Sequence, residues 1–257
     1  KRIPALFGEV DLLRSIQLLP GVNTAGEGTT GLFVRGGSSD QNLIQIDGAP
    51  IYNPSHFFGF FSVFNADAIS ELELFKGGIP ARYGGRLASI LDVKMKEGNP
   101  ERFSGSGGIG LISSRLYLDG PIKKGKGSFM IAGRRTYADA FLFLAPEEDI
   151  RDSKLFFYDF NAKADYKINE KNSLYLSAYL GRDVLSLSDQ ILVNWGNATT
   201  TLRWNRIFSE KLIGNLTGIV SNFDYKIGIP DGSQEFTTTT QILDYHLKAD
   251  FNYYLNE

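Results

Sequence analysis

From residue 156 to 168 apolar and polar side chains alternate one by one. Phe156, Tyr158, Phe160, Ala162, Ala164, Tyr166 and Ile168 would share one face of an extended strand. Phe157, Asp159, Asn161, Lys163, Asp165 and Lys167 would share the other. Residues 243–255 repeat the pattern, with Leu243, Tyr245, Leu247, Ala249, Phe251, Tyr253 and Leu255 against Asp244, His246, Lys248, Asp250, Asn252 and Tyr254. Both runs are far longer than the usual strand of about 5–6 residues. Weaker alternation marks 174–180, 198–204 and 212–220. Residues 168–172 and 208–211 read as tight turns, whereas 142–154, 183–194 and 228–238 read as longer connections. Long strands, short turns on one side and long loops on the other are the grammar of a transmembrane β-barrel. Aromatic residues near strand ends, Phe156, Tyr158, Tyr253 and Tyr254, would suit an interfacial girdle. A soluble β-sandwich is the competing architecture.

The first hundred residues follow different rules. Apolar positions in 9–19 fall near helical spacing, and Pro20-Gly21 would stop that helix. Short apolar runs at 31–34, 43–46, 71–75 and 90–95 are bounded by Gly, Asp, Asn or Pro and predict short strands joined by turns. The simplest division is a small α+β domain over 1–100 and a long-stranded region over 101–257. Gly36, Gly37, Gly77, Gly78, Gly84 and Gly85 are expected at left-handed turns or close approaches. Asp47-Gly48 is expected to close a hairpin, with Pro50 redirecting the chain beyond it. Val34–Gly37 and Asp47–Pro50 are expected to be the two strand ends of that hairpin.

Charge narrows the chemistry. With 27 Lys and Arg against 29 Asp and Glu, the net charge of −2 gives no electrostatic case for nucleic acid. No Cys is present, which removes disulfides, thiolate metal sites and Cys nucleophiles together. His56 and His246 stand too far apart in sequence to make a recognisable zinc site. No apolar run reaches the roughly 18 residues of a spanning helix. A mean hydropathy of −0.15 would ordinarily indicate a soluble protein. That inference fails for a barrel, whose strands average out as nearly neutral.

The motifs are weak one at a time. Gly105-Ser106-Gly107-Gly108-Ile109-Gly110 satisfies G-x-G-x-x-G, but a strand-like stretch follows it where a dinucleotide site needs a helix. These small residues are expected to face a crowded barrel interior. Arg35-Gly36-Gly37 occurs once, whereas RNA-binding RGG tracts are disordered repeats. Asp47 has no locally paired His, Ser or second acid to make a base of it. The sequons at Asn197 and Asn215 lie in strand-like segments. His56-Phe57-Phe58-Gly59-Phe60-Phe61 is a dense aromatic cluster with one titratable ring. It either packs the small domain and its contact with the barrel or presents His56, Phe57, Phe58, Phe60 and Phe61 to an organic ligand.

Taken in order, five segments make a stronger case. They are Leu12-Leu13-Arg14-Ser15-Ile16-Gln17-Leu18-Leu19-Pro20-Gly21-Val22 with Val34-Arg35-Gly36-Gly37, then Leu43-Ile44-Gln45-Ile46-Asp47-Gly48-Ala49-Pro50, then Ile69–Gly78, Ala81–Leu87 and Ile90–Met95. Together they resemble the plug domain of TonB-dependent outer-membrane receptors, followed by the first barrel strands. The flavour is similar to receptors of Bacteroidota, which often carry a carboxypeptidase-regulatory-like domain ahead of the plug.

The resemblance implies an α+β plug domain followed by the N-terminal part of an antiparallel transmembrane β-barrel. That barrel has 22 strands in the family, and about eight are expected here. A fragment of a longer protein is therefore expected, with the Ton box and signal peptide outside the sequence.

By the same resemblance the protein is a transporter and not an enzyme, without cofactor or metal. It sits in the outer membrane of a Gram-negative bacterium and takes up a nutrient with energy from TonB and ExbB/ExbD. Outer-membrane lipids are implied partners, a surface lipoprotein is a further candidate partner, and nucleic acid is not. The seal between plug and wall is expected to use breakable polar contacts, from Arg35, Arg82, Arg86, Glu71 and Glu73 of the plug. The alternatives are an accessory outer-membrane component that uses the plugged barrel as a docking platform, and a soluble β-rich enzyme.

Overall fold

A computed structural model describes residues 5–6, 9–24, 31–151, 153–187, 191–229 and 236–255. Strands β1 (Ala5–Leu6) and β2 (Glu9–Val10) pair antiparallel ahead of helix α1 (Leu12–Gln17). The helix starts at Asp11 because its carboxylate accepts the backbone N–H groups of Leu13 (2.9 Å) and Arg14 (3.2 Å). It buries Leu12, Leu13 and Ile16 and ends at Gln17, so the predicted span over 9–19 is shortened at both ends. Leu18 and Leu19 are exposed and lie in the turn beyond it.

Next come β3 (Val22–Asn23) and β4 (Phe33–Val34), which pair with each other. A four-stranded sheet follows, built from β5 (Asn42–Ile46), β6 (Ala49–Pro50), β9 (Ile69–Phe75) and β10 (Ser89–Met95) in the order β6-β5-β10-β9. Between them β7 (Ser55–His56) and β8 (Phe61–Ser62) form a small hairpin. The central pair, β5 and β10, is parallel and brings Ile44 opposite Leu91 and Ile46 opposite Val93. Strands buried on both faces carry such continuous apolar runs.

The turn Asp47-Gly48 does join β5 to β6, with φ of 46° and 87°. Two left-handed residues in a two-residue loop match the twist of the flanking strands. Val34–Gly37 is not the other end of that hairpin, because β4 pairs with β3 and a short 3-10 turn at Ser39–Gln41 intervenes before β5. Gly36, Gly78 and Gly85 also have left-handed φ, whereas Gly37, Gly77 and Gly84 do not. Gly37 is small for another reason: a Cβ there would sit 2.5 Å from that of Ala88.

The second region is an eight-stranded antiparallel sheet in sequence order. Its strands are β11 (Ser104–Ile109), β12 (Ser113–Lys123), β13 (Gly127–Thr136), β14 (Lys154–Asn169), β15 (Asn172–Leu187), β16 (Ile191–Ser209), β17 (Leu212–Ile229) and β18 (Phe236–Tyr253). Connections at 124–126, 170–171 and 210–211 are tight, all at one end of the sheet. At the other end, 137–153 carries a 3-10 segment (Ala138–Leu144) and helix α2 (Glu148–Arg151).

The long connection expected over 183–194 is mostly strand instead, because the β15–β16 ladder continues until Leu187 faces Ile191. Likewise β17 runs to Ile229. The remainders of these two predicted loops, 188–190 and 230–235, lie outside the described residues.

Alternation decides the faces. Phe157, Asp159, Asn161 and Lys163 are buried toward the plug, while Phe160 on the opposite face is exposed. On β18, Tyr245 and Leu247 are 72% and 79% exposed on the outer face. An apolar outer face on long strands is what lipid requires. Among the described residues, no helix is long and apolar enough to cross a membrane.

The G-x-G-x-x-G segment forms edge strand β11, as its strand-like sequel predicts, but not in a crowded interior. Gly105 and Gly107 pair with the exposed, outward Leu118 and Leu116 and are themselves exposed. The inner face is crowded elsewhere: Met130, Ala132 and Tyr179 of the wall join Leu13, Val34, Phe64 and Leu91 of the plug in one apolar core.

Candidate functional site

Beside the apolar core it shares with the wall, the plug makes a run of polar wall contacts along residues 47–62 and at Met95. The Ser221 hydroxyl donates to the Pro50 carbonyl (2.8 Å). Asn197 accepts from the Tyr52 backbone N–H (3.1 Å) and donates to the Asn53 carbonyl (2.9 Å). Its sequon therefore sits inside the plug–wall contact. The indole N–H of Trp195 donates to the Ser55 carbonyl (3.3 Å). The Lys163 ammonium donates to the Met95 carbonyl (3.0 Å) and lies 3.4 Å from the Asp47 carboxylate.

The Tyr52 hydroxyl donates to Asp244. Burial, followed by that bond and the Asp244 charge, pushes its phenol up to about 12 against the opposing charge of Arg86. Wall side chains thus satisfy backbone groups that this irregular plug segment cannot pair within itself.

His56 is the centre of the strongest of these contacts. It is 1% exposed, with Nδ1 at 2.6 Å from Asp183 Oδ2 and Nε2 at 2.8 Å from Asp159 Oδ1. Carboxylates only accept when ionised, so both ring nitrogens must carry protons to satisfy both contacts. Burial alone would lower the imidazole pKa. The charges of Asp159 and Asp183, and the hydrogen bonds to them, outweigh burial and push it up to about 9.

The second cation, Arg134, donates from Nε to Asp159 Oδ2 (2.8 Å) and from Nη2 to the Ser62 carbonyl (2.8 Å). The Tyr179 hydroxyl donates to Asp159 Oδ1 (2.8 Å). Two cations and two anions balance in a space where an unpaired charge would be expensive. Phe157 floors the cluster, stacked on the imidazole at 4.0 Å and 3°, with the Arg134 guanidinium 5.0 Å from its ring centre.

Gly181 makes the cluster sterically feasible. A Cβ there would fall 1.9 Å from the Tyr179 hydroxyl and 3.0 Å from Asp159 Oδ1. Gly181→Ala is expected to push the Tyr179 hydroxyl off Asp159 and destabilise the folded protein by about 1–3 kcal/mol, the usual range for overpacking. The restoring variant is Gly181→Ala with Tyr179→Phe, read by the urea midpoint. Equal midpoints for the wild type and Gly181→Ala would show that no such crowding exists.

The backbone after His56 is strained. Phe57 and Phe58 have φ of 48° and 55°, and Gly59 has 109°. A left-handed residue with a Cβ costs roughly 1–2 kcal/mol, so two in succession need external support. Asp183 supplies it: Oδ1 accepts the Phe57 N–H at 2.8 Å while Oδ2 holds His56.

The five residues expected to reach the wall do not reach the described strands. Arg35 is exposed and its guanidinium packs over Gly77 within the plug. Arg82 donates to the Tyr83 hydroxyl (3.1 Å), and Arg86 donates to the Gly85 carbonyl (2.8 Å). Glu71 pairs with Lys94 at 2.6 Å, and Glu73 lies opposite Asp92 on the plug sheet. Arg86 also lines a cleft of about 340 Å³ with Asp40, Asn42, Tyr52, Asn53 and Ser55. Arg82, Arg86 and Glu71 thus find partners within the plug, while Asp47, Tyr52, His56 and Asp67 are plug side chains that hydrogen-bond or ion-pair with the described wall.

The ligand-facing set splits. His56 and Phe61 are buried and Phe57 is half-buried against Phe157, so these three pack the contact. Phe58 and Phe60 are 63% and 54% exposed. Sequence reasoning missed Arg134, Asp159, Tyr179, Asp183 and Asn197. The visible signal was the polar set Asp159, Asn161 and Lys163 on one face of β14, a face too charged for lipid.

Residues 3–89 match the family described as the TonB-dependent Receptor Plug Domain. Residues 3–89 thus carry the plug-domain match, and the eight-stranded antiparallel sheet follows them in the chain. The fold of the chain is shared with part of several solved structures at low identity.

The siderophore receptor PirA from Acinetobacter baumannii superposes with a TM-score of 0.66 at 17% identity, covering 93% of this chain and 42% of its own. BauA, the ferric preacinetobactin receptor of the same organism, gives 0.65 at 14% identity over 94% and 41%. The copper transporter OprC gives 0.64 at 13% identity over 94% and 40%. The chain therefore spans less than half the length of these receptors. No curated protein sequence matches it.

Proposed function

We propose that this chain is the plug-bearing part of an outer-membrane transporter that imports a nutrient when TonB, energised by ExbB/ExbD, displaces the plug. The observation that carries this reading is the chemistry of the plug–wall contact. The plug packs a few apolar side chains against the wall, but segment 47–62 is held by hydrogen bonds and ion pairs to polar wall residues. Water can replace such bonds one by one as the plug moves, so their net worth of about 0.5–1.5 kcal/mol each is recoverable. A seal of this kind holds at rest and yields to an applied pull. The alternative of a docking platform without transport has no use for a contact that releases in this way.

The solved neighbours include receptors for ferric siderophores and a copper transporter. Metal chelates therefore head the panel of nutrients to be tested. Cells carrying the intact gene are expected to accumulate one member of the panel, and removal of either the gene or TonB is expected to abolish that uptake. Uptake that persists without TonB would defeat the proposed mechanism.

A further inference from the structure

The exposed pair Phe58 and Phe60 sits directly after the buried clamp on His56, and one wall carboxylate touches both features. Asp183 uses Oδ2 to hold the imidazole and Oδ1 to hold the N–H of Phe57, the first residue of the left-handed turn. Phe57 in turn packs edge-on against Phe157 at 5.1 Å, the ring on which His56 is stacked. Beyond the turn, Phe58 leans on Trp195 of the wall at 4.8 Å. The Phe60 carbonyl accepts from Arg14 Nη2 at 3.0 Å. The two exposed rings are therefore anchored beside a backbone that is strained at Phe57 and Phe58.

We propose that His56 is a positioning residue for the turn that follows it: its charge, held by Asp159 and Asp183, keeps Phe57 and Phe58 left-handed and so fixes where the exposed rings of Phe58 and Phe60 stand. The geometry explains why charge is needed. An imidazolium donates from both nitrogens, and a neutral imidazole from only one. Loss of the proton sets a ring lone pair against a carboxylate, and the clamp then opens on that side. The groups facing the ring are Asp159 on β14, Asp183 on β15, Arg134 on β13 and the Tyr179 hydroxyl on β15, the last two reaching it through Asp159. Once Asp183 is free to move, the two left-handed phenylalanines lose the hydrogen bond that holds the first of them, and ring packing alone is left against their strain. The turn relaxes, and the two exposed rings move.

This inference deepens the receptor reading but is tested without transport. The reporter is Phe58→Trp in the full-length receptor in detergent, measured as the difference in fluorescence and acrylamide quenching from the parent, which already has Trp195 and Trp204. The signal is expected to be flat between about pH 6 and 8 and to change as pH rises through the range near 9. At neutral pH, Phe58→Trp with His56→Ala is expected to show the high-pH signal. Added imidazole should restore at least half of the difference, and 1-methylimidazole, whose cation has a single N–H, should not.

A transition that survives His56→Ala would overturn the proposal, as would equal rescue by the two imidazoles. Where His56→Ala fails to assemble, Phe58→Trp with Asp183→Asn serves instead. It is expected to move the transition at least one pH unit lower, and an unmoved transition overturns the proposal. A negative uptake result leaves these optical outcomes untouched, and a negative optical result leaves TonB-dependent uptake standing.

Discussion

Replacing Asp159 with alanine in the full-length receptor is expected to unseat the plug from the described wall at a cost of about 3–5 kcal/mol, the usual consequence of breaking a buried ion pair from one side. Its carboxylate accepts from His56, Arg134 and Tyr179 at once. Removing it leaves two buried cations facing the single charge of Asp183, and leaves the Tyr179 hydroxyl without its partner. The imidazole would then lose its proton and Arg134 could not, so the residual charge stays buried. The measurement is the urea concentration at which the plug becomes protease-sensitive, compared with the receptor carrying Asp165→Ala. Asp165 lies on the same strand but accepts from Ser128 near the tight-turn end, away from the cluster, so its loss should be much milder. A midpoint for Asp159→Ala equal to that of Asp165→Ala would remove the cluster from any role in holding the plug.

Raising the pH should weaken the same contact in a defined window. The seated pKa of His56 is about 9, whereas a solvated histidine titrates near 6.5. Because the seated value is the higher one, the imidazolium contributes its full stabilisation below about pH 6.5. The contribution declines as pH rises above that value and is gone above about 9. A shift of this size corresponds to something on the order of 3 kcal/mol. Tyr52 follows the same sign in a later window, since its phenol is raised to about 12 and its contribution persists to about pH 10. The two groups are therefore separable. Urea midpoints between about pH 6 and 9.5 should fall in the wild type and stay nearly level in His56→Gln. Parallel pH profiles for the two would rule out His56 as the titrating group.

Particular residues show where sequence reasoning succeeded and where it stopped. Alternation over 156–168 assigned Phe157, Asp159, Asn161 and Lys163 to one face, and that face is buried on the plug. The period of a strand makes this assignment local, since neighbours along the chain must point opposite ways. The same logic placed β5, β9 and β10 and the Asp47-Gly48 turn. For Arg35, Arg82, Arg86, Glu71 and Glu73, which looked suited to the wall because they are charged and sit in plug motifs, the described strands supply no contact. Charge marks a residue as needing a partner, and Lys94 or Tyr83 nearby met the need first.

His56 was ambiguous for the opposite reason. Its partners lie 103 and 127 residues away, and no local pattern distinguishes a histidine aimed at solvent from one aimed at two carboxylates. By itself the sequence determined the periodicities, and hence the small α+β domain, the strands and their two faces, because each depends on residues a few positions apart. Only the tertiary structure decided which plug segment meets which strand. That choice depends on how two separately patterned surfaces balance charge and hydrogen bonds once water is excluded, and such a balance belongs to the pair of surfaces together.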